Sequence, residues 1–387
     1  MSLIPTSPSK QETERQAKVK SSKRMRIVRT LVIGLIIIAV VVAWQALNAY
    51  NNSTDPTVAG RPLSNPHTHL HSVALGEKPG VLYLGTHYGL FTSTDGGHTW
   101  PQSHGILSNY MVTSIAVSPT NPNVLALIVI PTSGLGQQSG IAFSRDNGTS
   151  WQISSPSGLS SSAYPYSVKA GTGSSGQFYA YYFYAGWLET RDLGAHWYTI
   201  TRGTLSDMQT PSLLTDSNNL NHLFLGGDQG LFESHDDGGH WLHISAIQGN
   251  VQSIVATNST PRILYCATDQ GFFRWQEGST QIKQITYLPM TTPLTRLLID
   301  KTSKALYGLS GQDLWFSSDS GSSWVHRWHF DRSDLISLVV DPLNPHTLYG
   351  GFFLPPEVVY STDGGSSWQT LTDGLKKFHA TLKDFHL

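Results

Sequence analysis

The sequence predicts an all-β chain, a seven-bladed β-propeller of four-stranded antiparallel blades preceded by one transmembrane helix. Three observations lead there. The eight-residue pattern Ser/Thr-x-Asp-x-Gly-x-x-Trp occurs six times between Ser93 and Trp368. The spacing of its tryptophans leaves room for one further, unmarked unit. A basic leader of 29 residues runs into an uncharged apolar stretch.

The pattern first appears as Ser93-Thr94-Asp95-Gly96-Gly97-His98-Thr99-Trp100. It returns around Asp146 and Trp151, Asp192 and Trp197, Asp236 and Trp241, Asp319 and Trp324, and Asp363 and Trp368. Successive tryptophans stand 44 to 51 positions apart, except Trp241 and Trp324, which stand 83 apart, or two periods. The missing unit is found between them. Val251 to Ile285 keeps the strand pattern without the Asp turn, and Ile263 to Phe273 parallels Leu223 to Phe232. Self-similarity at this period, with about four short strands per unit, is the mark of propeller blades.

The order of elements within a unit is constant, and the second unit shows it. Thr113–Val117 reads as strand A, Val124–Ile130 as strand B and Gly140–Ser144 as strand C. The Asp pattern makes the C–D turn, and Trp151 opens strand D. Asn121-Pro122 here, and Asn344-Pro345 in the last unit, mark the A–B turn through proline's fixed φ. In the pattern itself the Asp carboxylate can serve as a buried acceptor of N–H bonds across its own turn, the Gly supplies positive φ, and the Trp can bury its ring between sheets.

Composition narrows the function classes. Lys plus Arg total 25 and Asp plus Glu 26, so there is no basic excess to hold a phosphate backbone, and nucleic acid is not expected as a partner. Charged residues make up only 13% of the chain, which with abundant Gly, Ser, Thr, Tyr and Trp suits short strands and tight turns better than helix. One cysteine, Cys266, rules out an internal disulfide, and its apolar surroundings predict a buried, inert thiol.

Residues 1–29 carry eight Lys or Arg against Glu12 and Glu14, and Leu31 to Trp44 carries no charge. Residues 30–50 have the length needed to cross a bilayer, with Trp44 and Tyr50 placed as interfacial aromatics. The positive-inside rule then gives a cytoplasmic tail at 1–29, a signal anchor at 30–50, a flexible Asn/Thr/Pro/Gly stalk at 51–66 and an extracytoplasmic propeller at 67–387. A leader cleaved after Leu47-Asn48-Ala49 is the alternative, although its basic flank is long for one. Either reading exports everything after residue 50.

The repeated turns resemble Asp boxes, also called bacterial neuraminidase repeats, and residues 67–370 resemble the Asp-box propeller superfamily. Val339 to Gly351, with Asp341-Pro342 and Asn344-Pro345, looks like its xyloglucanase, sortilin and photosystem II assembly-factor branch. His69 to Leu75 with Gly85 to Phe91 is similar to glycosyl-hydrolase-like bacterial propellers. The resemblance implies that the boxes lie on the face opposite the usual active site. It also implies what a sialidase would need: six blades, an arginine triad and an early Arg-Ile-Pro motif. Only Gly60-Arg61-Pro62-Leu63 approaches that motif, and Arg145, Arg191, Arg274, Arg296 and Arg327 form no triad in the predicted register. Xyloglucanase-type enzymes pair two propellers, and this chain holds one.

No catalytic residue is assigned. Glycosidases need two carboxylates across a cleft, and the candidates on B–C loops are Asp228, Asp269 and Glu357. Aligning strand A across the blades places His71, Thr113, Tyr166, Pro211, Gln252, Thr295 and Ile336 round the channel mouth, a largely neutral, partly aromatic ring. Tyr179 to Trp187 reads as an aromatic strand B and its loop, with an exposed adhesive patch as the alternative. His67, His69 and His71 alternate on one strand face, and register brings His87, at the end of strand B, beside His69 or His71 at the channel mouth. Three imidazoles suit zinc or copper, with polar mouth-lining residues as the plainer alternative. The reading as a whole is a membrane-anchored, extracytoplasmic, non-catalytic module that binds a protein or cell-envelope polymer. The alternative is an exported glycoside hydrolase-like enzyme.

Overall fold

The chain divides into two compact units, 1–58 and 59–387. A computed structural model describes residues 68–371 within the second unit, apart from 77, 104, 133–137, 209–211, 217–218 and 286–287. The expected tail, anchor and stalk lie outside the described residues, as do His67 and Pro211. Among the described residues, no helix is long and apolar enough to cross a membrane.

Seven antiparallel sheets follow one another in chain order. The second blade shows the full unit: Tyr110–Val117, Leu125–Pro131, Gly140–Ser144 and Gln152–Ser154, paired in that order. The first strands of the other blades are Leu70–Leu75, Pro165–Ala170, Ser212–Thr215, Val251–Ala256, Arg296–Ile299 and Leu335–Val340. The unmarked unit is a complete blade, with strands Val251–Ala256, Ile263–Thr268, Gly271–Gln276 and Ile282–Ile285. It lacks only the Asp turn.

Six sheets have four strands, and the first has three. Its fourth strand shrinks to a single bridge, Phe91 with Gln102, flanked by the bonds Thr92 N–H to Pro101 O and Ser103 N–H to Leu90 O. Pro101 explains the shortening, because it stands opposite Thr92 and has no N–H with which to complete that pair.

Seven apolar clusters form the core, and most of them straddle two blades. One joins Tyr83, Leu90 and Leu107 to Val112, Leu125 and Leu127, and another joins Phe143 to Phe178 and Leu188. Strand B is buried along almost its whole length in every blade, as a strand covered by sheets on both faces must be. The ring closes by side-by-side packing. Leu70, Val73, Leu82 and Leu84 of blade one pack with Tyr349 and Val358 of blade seven, and Leu70 N–H bonds to Phe353 O at 3.0 Å.

The repeated turns act as expected in three respects and differ in a fourth. Asp363 Oδ1 accepts N–H bonds from Ser366 and Ser367, both at 2.9 Å. Gly97, Gly148, Gly194, Gly238, Gly321 and Gly365 all have positive φ. The Trp324 ring is buried, and the other five are half-buried. The carboxylates, however, are solvent-exposed rather than buried acceptors. The buried member is the leading hydroxyl (Ser93, Ser144, Thr190, Ser234, Ser317 or Ser361). Ser317 Oγ donates to Asp319 Oδ1 at 2.8 Å and accepts Gly321 N–H at 2.9 Å, and the same pair of bonds recurs in all six turns.

Candidate functional site

The register brings the start of each strand A beside the end of strand B, on the face that carries the B–C turns. In blades one, two, three, five and seven the A–B pairing skips one residue: His71, Thr113, Tyr166, Gln252 and Ile336. These are the residues predicted to line the mouth. Each sits in a β-bulge, which releases a side chain from the ladder and re-aims it. Thr295 directly precedes the first paired residue of blade six, Arg296, and its N–H bonds to Leu309 O. Tyr166, Gln252 and Thr295 are exposed, while His71, Thr113 and Ile336 are half-buried.

The residue after each bulge is a serine in these five blades, and three of these serines bond the next blade. Ser114 Oγ accepts Val168 N–H at 3.2 Å and Ser253 Oγ accepts Leu297 N–H at 3.0 Å. Ser337 Oγ donates to Val73 O at 3.2 Å across the ring closure. Arg296 takes this place in blade six, and its Nη2 donates to Ile336 O at 3.0 Å. These struts are absent from the sequence reading, although a serine recurring one position past each aligned mouth residue was a visible signal.

The ring's neutrality holds at the mouth and fails deeper in. Lys169 of blade three is solvent-accessible, yet desolvation and the charge of Arg296, from blade six, hold its pKa below the usual lysine range. Burial also lowers Arg296, opposed by Tyr166. Below them a cavity of about 340 Å³ lies among the ends of strand A, lined by residues including Leu75, Ile115, Ile299, Asp300, Val339 and Asp341.

The aromatic run of blade three is a strand first. Tyr179, Tyr181, Tyr182, Phe183 and Trp187 are buried, and Tyr184 alone stands out, 70% exposed at φ 63°. Its neighbours Tyr164, Tyr166 and Phe183 pack together, Tyr164 tilted and Tyr166 edge-on against Phe183, with centroids 4.7 and 4.8 Å from it. Tyr166 keeps 49% of its surface exposed, so blade three presents an aromatic corner at the mouth.

The three loop carboxylates have different surroundings. Asp269 Oδ1 accepts Asn250 N–H at 2.7 Å and so caps the start of strand A in its own blade. Glu357 is bonded by Arg332 at 3.1 Å and by Thr370 at 2.8 Å. Asp228 is exposed on the turn between Gly227 and Gly230. One coupled carboxylate pair escaped the sequence reading because its members come from different units. Glu189 and Asp237 meet at the side of the Asp turns, and burial plus the Glu189 charge raises Asp237 to about 6. Arg191 bonds both, which makes the group an ionic strut between blades three and four.

The histidines converge as the register predicts. His69 lies with its ring centroid 4.9 Å from His71 and 4.7 Å from His87, and His87 N–H donates to His69 O at 3.1 Å. His71 Nε2 is sealed from solvent with no hydrogen-bond partner among the described residues. Burial, then the charges of His69 and His87, pull the His71 imidazole down to about 3. A second histidine centre was not foreseen. His222 is buried between blades four and five, with Nε2 at 2.8 Å from Glu233 and Nδ1 at 3.3 Å from Asp216 and 3.2 Å from Glu277. Arg262 bonds Asp216 at 2.9 Å.

No protein-family model and no curated protein matches the sequence. Solved structures do match in fold. The GH74 enzyme of Niastella koreensis is similar at 14% identity and TM-score 0.63, over 81% of this chain and 55% of that one. The GH74 xyloglucanase of Xanthomonas campestris is similar at 13% identity and TM-score 0.60, over 80% and 55%. The extracellular domain of a putative one-component system from B. thetaiotaomicron is similar at 14% identity and TM-score 0.54, over 76% and 38%. This chain thus spans 55% or less of each of these three chains. They share the propeller fold, and enzymes and a sensor domain both occur among them.

Proposed function

We propose that this chain is an extracytoplasmic binding module, held at the membrane by residues 30–50, that grips a protein segment or neutral envelope polymer on the B–C face of its ring. The aromatic corner of blade three carries the reading. Exposed Tyr166 and Tyr184 flank the packed rings of Tyr164 and Phe183, beside bulged mouth residues that bear no charge of their own. Flat aromatic surface binds sugar rings and extended peptide at low entropic cost. Of the carboxylates that hydrolysis would require, Asp269 caps a strand and Glu357 is ion-paired, which favours binding over catalysis. The turns that resemble Asp boxes serve the fold on the other side.

The full chain, used as bait against envelope extracts and an array of neutral polysaccharides and peptides, should retain a ligand. The Tyr166→Ser/Tyr184→Ser double variant should release it without a change in melting temperature. Equal retention by that variant would remove the aromatic corner as the site. Release of reducing sugar from xyloglucan by the wild type, abolished by Asp228→Asn, would instead favour an exported glycoside hydrolase-like enzyme.

A further inference from the structure

We propose that His69, His71 and His87 bind one divalent d-block ion, zinc or copper, at the seam between the first and last blades. The backbone sets the three rings in place before any ion arrives. Leu70 pairs with Thr86, His87 N–H donates to His69 O, and the skipped residue in this register is His71. Strand A therefore presents two imidazoles to a third at the end of strand B. One nitrogen from each ring lies within 4.8 Å of the other two. Nitrogens sharing a tetrahedral zinc at about 2.0–2.1 Å stand about 3.4 Å apart, so side-chain rotations of about 1.5 Å close the set.

The chemistry of the donors selects the ion. Three imidazole nitrogens, with no carboxylate in the set among the described residues, offer nothing to calcium or magnesium, which take oxygen, and suit zinc or copper. His71 Nε2 is a buried acceptor or donor with no hydrogen-bond partner among the described residues, and Ser72 Oγ and Thr113 Oγ1, close in the fold, are in the same condition. An orphaned buried nitrogen costs free energy unless something occupies its lone pair.

The location gives the ion a structural role. Phe353 of blade seven packs against the set, 4.9 Å from His69 and 5.8 Å from His71, and its carbonyl takes the Leu70 N–H. Among the described residues the ring closes here without exchanging a strand between blades, so an ion that joins the start of strand A to the end of strand B fastens the chain where it enters the ring. Three protein ligands also leave one tetrahedral position for water or a ligand donor.

The full chain, loaded with Zn²⁺ and desalted, should retain about one equivalent by elemental analysis and melt higher than the chelated protein, as mass action requires. His71→Gln and His87→Gln should each weaken retention by roughly tenfold or more. His326→Ala and His329→Ala, which remove exposed partners of Asp313, should leave it unchanged. Should the Gln variants fail to fold, Co²⁺ bound to the wild type supplies the readout, since intense visible d–d absorption reports four-coordinate nitrogen ligation. Retention below about one-tenth of an equivalent overturns the proposal. So does retention that is lost with His222→Gln and kept with His71→Gln, because the ion would then belong to the centre between blades four and five.

Discussion

Replacing Ser317 by Ala tests which atom holds the repeated turn together. Its hydroxyl is buried, at 1% exposure, and accepts the buried Gly321 N–H while donating to Asp319 Oδ1. Alanine keeps the backbone but leaves that N–H without an acceptor where water does not reach, a cost of about 1–3 kcal/mol. At about 1–2 °C per kcal/mol, from about 2.1 cal/mol/K of unfolding entropy per residue over a propeller of this length, the melting temperature should fall by about 1–5 °C. Ser317→Thr should restore it, because Thr190 fills the same place in blade three with the same bonds. Asp319→Ala should cost less, since its carboxylate is exposed and water can replace it at Ser322 and Ser323. Hydrogen bonds from Ser323 and Ser317 hold Asp319 down to about 2. A depressed carboxylate contributes stability that is present above its unfolded pKa and is lost as pH falls through the folded one. The Asp319→Ala deficit should therefore vanish between about pH 4 and pH 2, while the Ser317→Ala deficit in the neutral turn bond persists in part. Thermal melts followed by circular dichroism at pH 7 and pH 3 decide it. An unchanged melt for Ser317→Ala, or a larger loss for Asp319→Ala at pH 7, would refute the assignment.

Three further outcomes follow from other parts of the chain. Protease added to intact cells should digest the propeller and spare the first 30 residues, and protection of residues 55–387 would reverse the proposed topology. Cys266 is buried and its thiol is pushed up by burial, so a thiol reagent should label it only after denaturation, and rapid native labelling would contradict its packing. Burial works against charge on His222, but its bond to Glu233 and the charge of Glu277 outweigh it, and its pKa rises. A raised histidine contributes stability below pH 6.5 that is lost as pH climbs through the folded value. The wild type should therefore lose stability from pH 6 to pH 8 and His222→Gln should lose less, as urea melts at the two pH values would show.

The parts of this fold legible in the sequence are those that local physics writes in every repeat. The six Asp turns require a fixed residue at fixed spacing, so Gly140–Ser144 is placed to the residue and the seventh unit is found by what surrounds its missing turn. The histidine convergence was legible for a similar reason, because antiparallel register is arithmetic once the turn is known. What escaped depends on contacts between repeats. Glu189 and Asp237 lie in different blades, as Glu277 does from Asp216 and His222, and no period within one unit brings them together. Burial was misjudged at the Asp turns because the conspicuous carboxylate drew the role that belongs to the hydroxyl two positions before it. The bulges tie these threads together. A strand in strict alternation would turn one side chain in two toward the channel and bury its neighbour, so a mouth residue could change only at the expense of packing. Skipping one residue from the ladder in five blades frees that position from both duties, and His71, Thr113, Tyr166, Gln252 and Ile336 share no chemistry as a result. The serine that follows each of them does the opposite and stays constant, and in three of the five blades it bonds the next blade. A repeat fold thus keeps its closure uniform and lets its mouth differ blade by blade, which leaves the positions where the repeat is broken free to vary.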